Sequence, residues 1–174
     1  MAAVLKNTRL GLSFQSLRQF IIDAGSVDQE MASVLSKTLA SGTGTSEADL
    51  VWMDTRTVNS GANDDLNLTD LDLTDTSSTV VEAGLNFAIV KAILIISENA
   101  AGGSGNMTLG NATTAFDGAG TPFVSAGSTS DVMPGGFFFW YSPVGASTSG
   151  ANELRVAGVT ANQTYRVAIL GESA

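Results

Sequence analysis

Two segments of this chain are apolar at consecutive positions. Residues 137–141 read Phe-Phe-Phe-Trp-Tyr, between a Met133-Pro134-Gly135-Gly136 turn and Pro143. In a strand, Phe137, Phe139 and Tyr141 point one way and Phe138 and Trp140 the other. A strand with one wet face alternates apolar and polar residues, so this one needs cover on both sides. Residues 85–97 repeat the pattern, with Phe87, Ile89, Lys91, Ile93 and Ile95 set against Val90, Ala92, Leu94 and Ile96. In a chain this small, the second cover is expected from another subunit or from the chain's own arm.

Shorter strands are expected at 50–58, 107–109, 123–125, 129–133, 153–157 and 164–170, divided by Gly, Asn, Ser and Thr clusters. Leu66, Leu68, Leu71 and Leu73 are interleaved with Asp, Asn and Thr, as on a half-buried edge. Short strands at regular spacing signal an all-β sandwich or barrel. The expectation is all-β, a β-sandwich of jelly-roll type.

The first 40 residues carry two periods. Leu10, Leu12 and Phe14 alternate as in a strand, while Phe14, Leu17, Phe20 and Ile21 recur at helical spacing. A short helix is expected over 16–23, ended by Gly25, and a strand over 33–39. Ser41-Gly42-Thr43-Gly44-Thr45-Ser46 has the composition of a flexible linker. Three regions follow: an N-terminal arm (1–40), a linker (41–47) and a β-sandwich body (48–174).

Composition narrows the chemistry. The 174 residues include no cysteine and no histidine. Disulfides and thiolate metal sites are excluded, and so are Ser-His-Asp and Cys-His catalysis from this chain alone. Residues 1–40 hold four basic and three acidic side chains, net +1, and the remainder holds four against fourteen, net −10. An acidic body repels phosphate, so no nucleic acid partner is expected. No run of 18 apolar residues occurs, and the opening Met-Ala-Ala-Val-Leu-Lys lacks the order of a signal peptide. No membrane partner is expected.

Three features invite a functional reading. The acidic run from Asp64 to Asp75 offers calcium ligands, but its spacing misses the EF-hand pattern, and a charged strand edge accounts for the Leu–Asp alternation. The glycine-rich 41–46 segment is reminiscent of a phosphate loop but has no following Lys and lies in acidic sequence. Asp54 and Arg56 share a strand face and read as a structural ion pair. No metal, cofactor or catalytic residue is assigned. The bland reading of the aromatic run, core on one side and interface on the other, is preferred to a sugar or base platform.

The stretch 38–57 (Thr-Leu-Ala-Ser-Gly-Thr-Gly-Thr-Ser-Glu-Ala-Asp-Leu-Val-Trp-Met-Asp-Thr-Arg-Thr) resembles a segment of small virion-associated proteins of tailed bacteriophages and prophages. So do Phe-Ala-Ile-Val-Lys-Ala-Ile-Leu-Ile at 87–95, Pro134-Gly135-Gly136, and Tyr-Arg-Val-Ala-Ile-Leu-Gly at 165–171, in the same order. Residues 1–37 are not covered. The resemblance implies a non-enzymatic virion component. The expectation built on it is a head decoration or cement protein, a homotrimer on the outer capsid surface that binds the major capsid protein. Leu10, Leu12, Phe14, Leu17 and Phe20 are the expected arm anchors on the capsid. Trp52, Phe138 and Trp140 are the expected subunit contacts. The alternatives are a tail, baseplate or fibre-attachment component, or a carbohydrate-binding module.

Overall fold

The computed structural model describes residues 7–22, 25–74, 80–100, 103–117, 120–123, 125 and 127–174. The side chains of residues 7, 8, 12–35, 73, 74, 81 and 82 lie outside that description. Twelve strands are present, and no helix occurs among the described residues. They are β1 (Asn7–Ile22), β2 (Gly25–Ala40), β3 (Leu50–Val58), β4 (Asn63–Asn67), β5 (Leu71–Thr74), β6 (Val80–Leu85), β7 (Phe87–Ser97), β8 (Met107–Gly110), β9 (Thr129–Val132), β10 (Phe137–Ser147), β11 (Glu153–Gly158) and β12 (Gln163–Ser173).

The body is built from two four-stranded antiparallel sheets, ordered β10-β7-β12-β3 and β4-β11-β8-β9. Their facing residues form one core. Trp52, Phe87, Ile93, Ile95, Val167 and Ile169 come from the first sheet; Leu66, Met107, Leu109, Val132, Leu154 and Val156 come from the second. A short hairpin, β5–β6, separates β4 from β7, and the indole Nε1 of Trp52 donates to the Asp72 carbonyl at 2.8 Å.

The cross-strand register explains the two-faced strands. Trp140, Ile93, Ile169 and Trp52 form one row across the first sheet. Phe138, Ile95 and Val167 form the next row of the same parity. Both rows face the core. Phe138 stacks on Phe123 at 6.0 Å between centroids, and Trp140 meets Phe116 edge-on at 6.3 Å. The odd members of the run, Phe137, Phe139 and Tyr141, therefore lie on the outer face.

Three expectations need correction. The helix expected over 16–23 is not formed, since β1 continues through Ile22. Helical and strand periods overlap there, and sixteen successive pairings with β2 decide for the strand. Within that strand Leu17 pairs with Glu30, on the alternate set of rungs from Leu10, Leu12, Phe14 and Phe20. Residues 41–47 are not a loose linker; the Ser46 N–H donates to the Pro143 carbonyl and the Ala48 N–H to the Ala40 carbonyl, both at 2.9 Å. The strand expected at 123–125 is absent: Phe123 sits in a loop, its carbonyl accepting from the Thr121 hydroxyl at 2.8 Å, and Val124 lies outside the described residues.

At Gly171 an added Cβ would lie 2.0 Å from the Ile89 carbonyl oxygen. Gly171→Ala should lower stability by about 1–3 kcal/mol or more in urea unfolding, because neighbouring sheet backbone must give way.

Candidate functional site

The outer face of the first sheet grades from buried to open. Its first row, Tyr141-Ala92-Leu170-Val51, lies under the root of the β1–β2 hairpin. Leu39 is fully buried there with Ala48, Ala92 and Leu170, and Leu10, Val51 and Tyr141 pack around them. The second row, Phe139-Leu94-Ala168-Met53, is partly covered, with Met53 61% exposed. The third, Phe137-Ile96-Arg166-Thr55, is open at its end, with Phe137 59% exposed. An apolar recess of about 310 Å³ lies between the hairpin at Arg9, Leu10 and Gly11 and the first two rows.

The hairpin root is fixed by a buried charge. Against β12 the register of β7 slips between Val90 and Ala92, leaving Lys91 as the extra residue of a bulge, and against β10 residues 142–145 loop out at the same place. Bulges re-aim side chains. Lys91 is fully buried, and its ammonium contacts the Glu172 carboxylate, the Gly44 carbonyl and, at 2.7 Å, the Glu47 carbonyl. Three acceptors match three ammonium protons, which is the condition for tolerating a buried cation.

The glycine-rich turn closes on its own anion. Gly44 N–H donates to Glu47 Oε2 at 2.9 Å, and a Cβ at Gly42 would sit 2.3 Å from that oxygen. These glycines admit an internal carboxylate rather than a phosphate.

A second polar cluster crosses between the sheets. Arg56 holds Asp64 in a fork at 2.7 and 2.9 Å and reaches Asp54 at 3.1 Å. The buried Tyr165 hydroxyl donates to Asp64 at 2.6 Å. Burial, then the hydrogen bond to Asp64, pushes the Tyr165 phenol above its ordinary range; the same carboxylate holds the Arg56 guanidinium charged beyond its own. Asp65 pairs with Arg155 at 2.6 and 2.8 Å, which lowers the Asp65 carboxyl. The first two acids of the acidic run are thus ion-pair partners on edge strand β4. Asp75 lies outside the described residues. Among the described residues no acidic group is arranged to hold a metal ion. A depression of about 970 Å³ follows β3 past the Arg56–Asp64 pair, whose charges already satisfy each other.

The residues singled out from sequence fall into three places. Trp52, 1% exposed, is sealed in the core, and Phe138 and Trp140 pack inward beside it. None of the three presents its ring on the outer face; the side chains of Phe137, Phe139 and Met53 lie there instead, which the alternation of a strand could have indicated. Leu10 lies at the hairpin root. Leu12, Phe14, Leu17 and Phe20 have paired backbones, but their side chains lie outside the described set. No protein-family model and no curated protein matches the chain.

Lys91→Met should cost about 3–5 kcal/mol by stranding Glu172 and should make residues 41–47 a preferred protease site. Adding Glu172→Gln should recover part of the loss in urea unfolding. Tyr165 gives a pH signature. Its raised folded value means its contribution is complete below about pH 10, the ordinary tyrosine value, and is lost as pH rises toward the folded value. Urea titrations against pH should therefore show a smaller alkaline loss for Tyr165→Phe than for the parent chain.

Proposed function

We propose that this chain is a non-enzymatic structural protein of a phage particle, a capsid decoration protein that sits on the outer head surface as a homotrimer and stabilises the lattice. The observation that carries the reading is the pairing of a long hairpin, clamped at its root, with a partly open apolar sheet face. Such a molecule is built for attachment to neighbours, since contiguous exposed apolar surface marks interaction sites. The sequence resemblance to virion-associated proteins points the same way.

The strand order supports a jelly-roll body. With the β5–β6 insertion set aside, the eight body strands from β3 to β12 run in the order first-eighth-third-sixth in one sheet and second-seventh-fourth-fifth in the other. That is the order of a jelly roll made from two Greek keys, an architecture recurrent in viral capsids and lectins. A lectin-like reading places Trp140 on a sugar platform; its inward packing on Phe116 speaks against that role.

The reading also fits the polar chemistry. The buried lysine and the forked arginine are each occupied by internal partners. The proposed partner is the major capsid protein, with the hairpin supplying reach and the effective concentration that tethering brings.

The test is rebinding. Purified protein added to head shells stripped of it should bind at hundreds of copies, and the shells should then withstand higher temperature. Binding to tails or baseplates alone would move the protein to the other end of the virion.

A further inference from the structure

We propose that the open part of the outer face, centred on Phe137, Phe139 and Met53, is the seat for the β1–β2 hairpin of a second copy of this chain. The chain's own hairpin covers it only in part: Arg9, Leu10 and Gly11 border it across the recess, and Met53 and Phe137 stay exposed.

The hairpin matches this seat in pattern. Rungs of one parity pair Leu10 with Lys37, Leu12 with Leu35, Phe14 with Ser33, Ser16 with Met31 and Phe20 with Val27, interrupted by Arg18 with Gln29. The alternate rungs pair Arg9 with Thr38, Gly11 with Ser36, Ser13 with Val34, Leu17 with Glu30 and Gln19 with Asp28. The first series is the more apolar, and at Leu10 and Leu39 it already packs on the outer face. The same series continues along strands of 16 residues, a span of about 54 Å at ~3.4 Å per residue. A hairpin of two strands has little stability alone in water, so its outer rungs gain by docking.

Area and charge choose the occupant. Two partly open rows of four strands span at most on the order of 200–300 Å², short of the ~800 Å² that each partner gives to a stable interface. Direct pairing of two bodies would also set one acidic surface, net −10, against another. The hairpin, residues 7–40, holds three basic and three acidic side chains, net 0, and brings its own length of apolar rungs. Exchange between copies therefore avoids that like-charge contact and adds hairpin area to what the face offers. The proposal stands without the capsid reading.

The absence of cysteine permits a direct test. Full-length Phe14→Cys and Met53→Cys proteins, mixed and oxidised, should give a crosslinked dimer holding one of each, identified by mass spectrometry. Phe137→Asp should weaken self-association in sedimentation equilibrium by about tenfold or more with an unchanged melting curve. A monomer at all concentrations, or crosslinks only between two Met53→Cys copies, overturns the proposal. Oligomers that fail to bind head shells would retain hairpin exchange and refute the decoration reading; monomers that bind them would do the reverse.

Discussion

The buried ammonium of Lys91 is the contact on which the arrangement of arm and body depends. It exists because β7 carries one residue more than β12 at that rung. The bulge turns the side chain toward the Glu172 carboxylate and two carbonyls of the 41–47 turn. A buried charge is costly unless every proton is matched. None of these partners can move far without leaving the charge exposed to an apolar interior. The turn is thereby fastened to the sheet, and with it the direction in which the hairpin departs.

That direction decides what the outer face presents. Where the hairpin root crosses, Ala92 and Leu170 are buried; farther along, Met53 and Phe137 face solvent. The same four strands are thus core on their inner side and a graded, partly open surface on their outer side. The opposite edge of the body is treated differently. Asp64 and Asp65 on edge strand β4 are engaged by Arg56, Tyr165 and Arg155, so the edge is charged and internally paired. One side of the molecule is thereby closed to further strands, while the other keeps an apolar face available.

Much of this was legible in the residues themselves. The 85–97 and 137–141 segments announced strands, and the Leu–Asp alternation announced an edge. The Asp54–Arg56 spacing announced an ion pair, although its principal partner, Asp64, is set by packing between the two sheets. The arm was misread because Phe14, Leu17 and Phe20 satisfy a helical period as well as they fail a strand one. Only pairing across sixteen rungs distinguishes the two. The 41–47 segment looked loose because glycine composition does not reveal that Glu47 folds back onto Gly44.

By itself, the sequence determined the all-β class, the position of most strands, the lack of histidine and cysteine chemistry and the division between a near-neutral arm and an acidic body. These follow from composition and local period, which need no knowledge of neighbours. Tertiary structure alone decided which face of each two-sided strand is core. It turned Trp52, Phe138 and Trp140 toward the core and Phe137, Phe139 and Met53 toward the outer face, because that choice rests on register between strands far apart in the chain. It also decided that Lys91, one charge in an apolar run, is the buried pin of the arm, since its three acceptors come from segments more than forty residues away on either side.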